Sequence, residues 1–256
     1  MTHYYCHIFL LWLFISAGYP LKAQPQARPG PASVAGAVWP LVESRLNQPG
    51  ADTARHFILG LVRDHCGTLY ACQYQTCLDL MLRLENHRFN LPAAIFLGEE
   101  LVKLARQHAS KKDEATARMH LSRYFDALGI EKMAAQHLDQ ALALYEQAGE
   151  RQAVRYVLAN RLERSLRYRN AAEVLPELDA LLDEAIRAGD TSTTDLLHIR
   201  MLDIKLRAGR YDAVGEHLNA LDKIAATKPQ QDRDWGVSIV AAMARAELAK
   251  AANKPG

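Results

Sequence analysis

The chain has 256 residues, of which 49% are hydrophobic and 23% are charged, a balance that is typical of a folded protein and excludes general disorder. Lysine and arginine together number 31 against 29 aspartate and glutamate residues, so the formal net charge is only +2. This near-neutral charge gives no reason to expect nucleic acid or an anionic membrane surface as a partner.

The first 23 residues have the features of an export signal. An apolar run over 8–15 is followed by the small residues 16–18, and so short a run cannot span a bilayer as a helix, which needs ~20 residues. We therefore expect a signal peptide over 1–23, cleavage before Gln24 and a periplasmic or extracellular protein. The alternative is a buried N-terminal helix.

A tether and a first pair of helices come next along the chain. Residues 24–31 consist mainly of Gln, Pro, Ala and Gly, which bury little apolar surface, and they predict a flexible linker. Apolar residues at helical spacing predict one helix from near Ala32 and a second that begins at an N-cap, Asp52, and ends near Cys66. These two helices form the predicted N-terminal helical pair, 32–67.

From Phe89 to Asp222, within the array predicted from residue 68 onward, a helix-turn-helix pattern returns every 40 residues. Positions 40 residues apart stay small or aliphatic, as expected when the same position packs in the same way in every repeat. Gly149 and Gly189 form one such pair, and each stands where a helix C-terminus needs a positive φ. The apolar columns are Ala94, Ala134, Val174 and Val214; Gly98, Leu138, Leu178 and Leu218; and Leu101, Ala141, Leu181 and Leu221.

The pattern predicts about ten or eleven helices and no sheet, since no segment shows sustained strand alternation. A last helix over 235–250 has an alanine-rich side that could face water at the end of an array. The array predicted over 68–256 therefore ends either in a terminal helix or within a repeat of a longer protein.

A family resemblance rests on the turn Gly-Arg-Tyr at 209–211, on Ala134 and Ala141 at predicted helix contacts, and on the Ala-Gly-Asp corner at 188–190. With these features, residues 68–250 resemble tetratricopeptide repeats of a longer form. The resemblance implies an all-α fold, a right-handed superhelical array of antiparallel helix pairs, or α-solenoid. Behind a signal peptide, such an array is similar to the extracytoplasmic input regions of some bacterial sensor histidine kinases.

Three cysteines, Cys66, Cys72 and Cys77, stand within twelve residues. In an oxidising compartment we expect one disulfide, in which Cys66, beyond a helix end, pairs with Cys72 or Cys77 on the next helix. The alternative is three reduced thiols packed at a helix contact. A zinc site that adds His65 and His87 is disfavoured, because the spacings are not those of paired ligand knuckles.

The arginine-rich run over 151–169 invites a phosphate-binding role. Its arginines scatter around the predicted helix, however, and the next helix is acidic, so the run predicts a solvated and charge-compensated surface. The sequence contains no His-Glu-x-x-His, glycine-rich phosphate loop or Gly-x-Ser-x-Gly motif. We therefore expect no catalytic residues, no metal, no cofactor and no enzymatic activity.

The predicted function is an extracytoplasmic interaction or scaffold module for a peptide, a protein or a small signal. In tetratricopeptide arrays the first helix of each pair lines the concave side, so the resemblance implies a groove there. The implied groove positions are Arg83, Arg123, Glu163 and Asp203, with Met119, Ala159 and Ile199 one turn before the last three. At each position the alternative is a solvated side chain that contacts no partner.

Two other functions stay open at this stage. One is the sensory input part of a membrane histidine kinase or regulator whose catalytic part lies outside this chain, which would give the protein a membrane association. The other is an all-helical periplasmic enzyme such as a lyase or muramidase, which would need a carboxylate or histidine constellation that the sequence lacks. The sequence does not specify the ligand or the oligomeric state.

Overall fold

The computed structural model describes residues 34–46, 51–86, 91–211 and 214–227, together with 241–242, 244–246 and 248–249. The helices are α1 Val34–Leu46, α2 Ala51–Cys66, α3 Tyr70–Asn86, α4 Leu91–Gln107, α5 Lys111–Ala127, α6 Glu131–Ala148, α7 Arg151–Ser165, α8 Ala171–Arg187, α9 Thr191–Arg207 and α10 Gly215–Thr227. The predicted signal peptide, the linker over 24–31 and residues 235–240 of the last predicted helix lie outside the described residues.

The helices α1 to α6 pack each against the next in the chain, as do α8 to α10, and the described residues contain no strand. The all-α prediction is therefore confirmed for this part of the chain. The chain divides within α7 into two compact units, an N-terminal unit, 24–157, and a C-terminal unit that runs from Leu158 onward. The predicted helical pair 32–67 belongs to the N-terminal unit, where α1 and α2 both pack against α3.

The core of the N-terminal unit follows from helical spacing, as α4 illustrates. Its buried residues recur at intervals of three and four, which gathers them on one face of the helix. Gly98 lies on this face, and a Cβ at that position would stand 2.7 Å from Cδ2 of Leu121 on α5. The close approach of α4 and α5 therefore explains why glycine replaces the leucine of the repeat column. The buried residues of α4 are Ala94, Leu97, Gly98, Leu101, Val102 and Ala105.

The corners between helix pairs repeat one backbone conformation. Gly149 and Gly189 have φ of 72° and 65°, as predicted from their positions after helices. Ala109 stands 40 residues before Gly149 and has φ of 52°, although it carries a Cβ. A left-handed conformation costs a non-glycine residue roughly 1–2 kcal/mol. Three successive corners thus keep the same geometry, even where the residue type does not favour it.

Helix N-terminal caps follow two of these corners and place the helix starts. Ser110 caps α5, and its Oγ accepts a hydrogen bond from the backbone nitrogen of Asp113. The helix consequently begins at Lys111. Asp190 caps α9 in the same way through the nitrogen of Thr193, at 3.1 Å.

The first helices of successive pairs, α3 and α5, are parallel neighbours in the N-terminal unit. Near their N-terminal ends, the Tyr70 hydroxyl donates to Oδ2 of Asp113 at 2.5 Å. Near their C-terminal ends, Nη2 of Arg123 donates to Oε1 of Glu85 at 2.7 Å. Contacts at both ends in the same order mean that the two helices run in the same direction, as the repeat pattern requires.

Candidate functional site

A row of polar side chains joins the three first helices of the N-terminal unit. Trp39 lies on α1, Arg83 and Glu85 lie on α3, and Arg123 lies on α5. The guanidinium carbon of the exposed Arg83 stands 5.8 Å from the centroid of the Trp39 ring, a cation–π contact. Glu85 lies two residues further along α3 and pairs with Arg123 on α5, the first helix of the next pair. We call these four residues the first-helix row.

Arg123 is less solvated than its predicted place in a groove implies. Its side chain is 21% exposed and is paired with Glu85. The second carboxylate oxygen of Glu85 accepts a hydrogen bond from the Tyr124 hydroxyl at 3.1 Å. Burial raises the pKa of Tyr124 above its usual value, so the hydroxyl keeps the proton that it donates. Arg123 and Tyr124 together bind α5 to α3 through one carboxylate.

A comparable pair occurs between first helices of the C-terminal unit. Nη1 of Arg200 on α9 donates to Oε1 of Glu163 on α7 at 2.6 Å, across 37 residues of sequence. Both side chains are nearly buried, with exposed fractions of 10% and 12%. Asp203, the fourth predicted groove residue, pairs with Arg207 on its own helix. The predicted groove residues Arg123, Glu163 and Asp203 therefore all take part in ion pairs within the protein, whereas Arg83 is exposed beside Trp39.

The three positions predicted to flank the groove are not at the surface. Met119, Ala159 and Ile199 are all buried, so their assignment as exposed groove positions is wrong. The run 117–122 of α5 is buried on every side. The reason is that α5 packs against both α4 and α6 and is bonded to α3, which leaves no open side at its middle. Of the four implied groove residues, Arg83 alone is exposed.

A partly buried charged network joins α4, α5 and α6 of the N-terminal unit, and sequence patterns indicate it only weakly. Glu114 accepts from Nε of Arg118 at 2.8 Å and from Nε of Arg106 at 2.9 Å. Arg118 also donates to the side chain of Gln140 on α6. His137 stacks on Phe125 beside this network, and burial, followed by the charge of Arg118, lowers the pKa of His137 to about 4. The sequence indicates this network only through the i, i+4 spacing of Glu114 and Arg118, which predicts an ion pair. The same spacing occurs in pairs that are exposed on the surface of a helix.

His120 is a buried base on α5. Its Nδ1 has no hydrogen-bond partner among the described residues, and the side chain packs beside the Tyr124 ring. Burial, with a smaller contribution from the positive charge of Arg123, lowers the pKa of His120 to about 3. The ring is therefore neutral in the folded protein at neutral and mildly acidic pH.

This depressed pKa predicts that the N-terminal unit loses stability in acid. The stabilising contribution of neutral His120 is fully present above the unfolded-state pKa of about 6.5 and is lost as the pH falls towards 3. At pH 5 the loss relative to pH 7.5 is about 2 kcal/mol for this one group. Urea unfolding at pH 7.5 and pH 5 measures the free energy of unfolding at each pH. We expect the difference between these two free energies to be smaller in His120→Leu than in the wild type, by about this amount.

The matched control for this measurement is His56→Gln. His56 is an exposed residue of α2, so its substitution should leave the difference between the two pH values unchanged. Equal pH dependence of the wild type and His120→Leu would mean that His120 is not a buried neutral base.

The three cysteines divide into one bonded pair and one thiol. Cys66 and Cys72 form a disulfide that joins the end of α2 to the start of α3. Cys77 is a buried thiol, and burial raises its pKa to about 12, so it is a poor nucleophile at neutral pH. A zinc site on this segment would need both bonded sulfurs as thiolates. His87, the other predicted ligand with His65, lies outside the described residues.

The described residues contain no group of three or more His, Cys, Asp or Glu side chains arranged to hold a metal ion. None of the helices in the described ranges combines the length and the apolar character that a membrane span requires. No protein-family model matches the chain, and no curated protein matches it at a significant level. The resemblance to tetratricopeptide repeats accordingly rests on the sequence columns and on the packing of consecutive helices within each unit.

Proposed function

We propose that the protein is an exported interaction module, a tetratricopeptide-like array that binds a peptide or protein on its first helices. The observation that carries the proposal is the first-helix row, in which α1, α3 and α5 are joined by Trp39, Arg83, Glu85 and Arg123. A row that crosses three helices presents side chains from distant parts of the sequence to one partner. The right-handed superhelix implied by the resemblance belongs to the same proposal.

Within the row, Arg83 and Trp39 supply the chemistry for binding. The exposed guanidinium offers several hydrogen-bond donors to a carboxylate or a backbone carbonyl, while the indole beneath it offers an apolar face. Tryptophan and arginine are also enriched among residues that contribute most to protein–protein binding. Glu85 and Arg123 keep α3 and α5 in register behind this contact. The partner is therefore expected to place an acidic and an apolar side chain next to each other.

Charge reversal at Arg83 tests this proposal. The full chain, expressed in its own host with a C-terminal affinity tag, is compared with Arg83→Glu in capture experiments on extracytoplasmic fractions, with quantitative mass spectrometry as the readout. We expect partners of the wild type to be depleted about tenfold or more with Arg83→Glu, which corresponds to about 1.4 kcal/mol of binding free energy.

Arg63→Glu provides the matched control for the capture experiment. Arg63 is an exposed arginine on α2, so its substitution makes the same change in net charge on a second helix of the array. Capture of the same partners in equal amounts by wild type and Arg83→Glu would reject Arg83 as a binding residue. Loss of partners with both variants would show that net charge, and not the first-helix row, determines binding.

A further inference from the structure

Three nitrogen bases form a buried chain between α9 and α10 of the C-terminal unit. Nδ1 of His198 lies 3.0 Å from Nδ1 of His217, and Nζ of Lys205 lies 2.7 Å from Nε2 of the same His217 ring. His217 is 1% exposed, and the other two side chains are also buried. His198 and Lys205 are seven residues apart, two turns of α9, so they stand on one face of that helix.

The donor and acceptor roles in this chain have one consistent assignment. A lysine ammonium only donates, so Nε2 of His217 must accept and the ring carries its proton on Nδ1. That Nδ1–H then donates to Nδ1 of His198, which must be unprotonated, and His198 holds its proton on Nε2. Hydrogen bonds donated from Lys205 to His217 and from His217 to His198 thus require both imidazoles to be neutral.

The surroundings favour these neutral forms. Burial, then the charge of Lys205, then His198 lower the pKa of His217 to about 4. Burial also lowers the pKa of His198; Glu216 on α10 opposes this shift and Lys205 on α9 adds to it. Among the described residues, α8 packs its apolar side against α9 and keeps its charged side chains exposed. The neighbouring residues of 241–249 that join this core are Ala241, Ala244 and Leu248.

We propose that His198, His217 and Lys205 form a pH-sensitive latch that holds α10 on α9 and releases it on acidification. A proton taken up from solvent at Nδ1 of His198 makes this atom a donor that faces the Nδ1–H of His217. A proton at Nε2 of His217 makes this atom a donor that faces the ammonium of Lys205. Either proton breaks one hydrogen bond of the chain and places a positive charge next to donors in a buried site.

The direction of the response follows from the lowered pKa values. A histidine whose folded-state pKa is depressed stabilises the closed contact above its solvated pKa of about 6.5, and this stabilisation is lost as the pH falls towards 4. Release of α10 therefore increases over the mildly acidic range. We expect opening of α10 to increase on the order of tenfold between pH 7.5 and pH 5.

Hydrogen–deuterium exchange of the full chain, corrected for the intrinsic pH dependence of exchange, measures this opening. In the wild type, peptides from α10 and the facing part of α9 should lose protection on the order of tenfold at pH 5 relative to pH 7.5. The glutamine of His217→Gln has an amide oxygen that can accept from Lys205 but no group that titrates in this pH range. In this variant, the protection of α10 against exchange should therefore depend much less on pH. His137→Gln is the control, because it removes a partly buried histidine of the N-terminal unit whose pKa is also lowered, and it should leave the response of α10 unchanged.

A second variant keeps the test decisive if His217→Gln does not fold. Lys205→Met removes the ammonium that opposes protonation of His217, so the ring should titrate at higher pH in an NMR titration and the loss of α10 protection should shift upward in pH with it. A purely structural lysine would change stability without moving the histidine titration. The latch is refuted if α10 of the wild type keeps its protection from pH 7.5 to pH 5, or if His217→Gln retains the full pH response.

Discussion

Ala134→Trp is expected to destabilise the N-terminal unit by about 3 kcal/mol or more, because the indole has no space between α5 and α6. Ala134 is completely buried, and its carbonyl oxygen accepts a hydrogen bond from Ser122 Oγ on α5 at 2.7 Å. A side-chain hydroxyl reaches a backbone carbonyl of another helix only where the two helices approach closely. Ala141, two turns further along α6, is also completely buried, so small residues line this contact. A loss of this size is a large fraction of the stability of an ordinary domain.

Urea unfolding followed by circular dichroism measures this loss, and Met133→Trp is the matched control. Met133 precedes Ala134 on α6 but is 36% exposed, so the same indole should change stability by no more than about 0.5 kcal/mol there. Arg123→Ala is an informative third variant. Truncation of a solvated groove residue would have almost no effect on stability, whereas the partly buried pair with Glu85 leads us to expect a loss of about 1 kcal/mol. Equal tolerance of tryptophan at 133 and 134 would mean that the assigned helix register is wrong.

Arg200→Met is expected to destabilise the C-terminal unit by about 3 kcal/mol. The substitution retains most of the aliphatic bulk of the side chain but leaves the carboxylate of Glu163 without its partner at 2.6 Å. Because this carboxylate is nearly buried, water compensates only part of the lost interaction. Removing one member of a buried pair costs more stability than removing both, because the remaining charge is then buried without a partner.

A double-mutant cycle tests this explanation. Glu163→Gln alone removes the charge but not the shape, and Arg200→Met combined with Glu163→Gln should recover a substantial part of the stability lost by Arg200→Met. We expect a coupling energy of about 1–3 kcal/mol from the unfolding of the four proteins. Strictly additive effects would show that Glu163 is not the partner that Arg200 stabilises and would return Glu163 to the set of solvated groove positions.

The sequence by itself determined the elements of this fold whose causes are local. Apolar residues at intervals of three and four specify which face of a helix is buried, and this made the all-α assignment possible without knowledge of the tertiary packing. Gly149 and Gly189 were predictable in the same way, because a positive φ after a helix is a property of one residue and its neighbours. Because the pattern repeats every 40 residues, the same local features recur in successive helix pairs. The helix starts at Lys111 and Thr191 are defined by the N-caps that precede them, Ser110 and Asp190, and not by the apolar spacing alone.

Only the tertiary structure decided which polar residues face solvent and which bind another helix. Glu163 and Arg200 are 37 residues apart, and no local pattern distinguishes a carboxylate that has such a partner from one that is simply hydrated. Met119 is buried because three helices surround α5, and the number of neighbours around a helix is a property of the whole array. The chain of His198, His217 and Lys205 likewise exists only because α9 and α10 meet there. Periodicity specifies which face of a helix is apolar, but the arrangement of the helices specifies how much of the remaining surface stays in water.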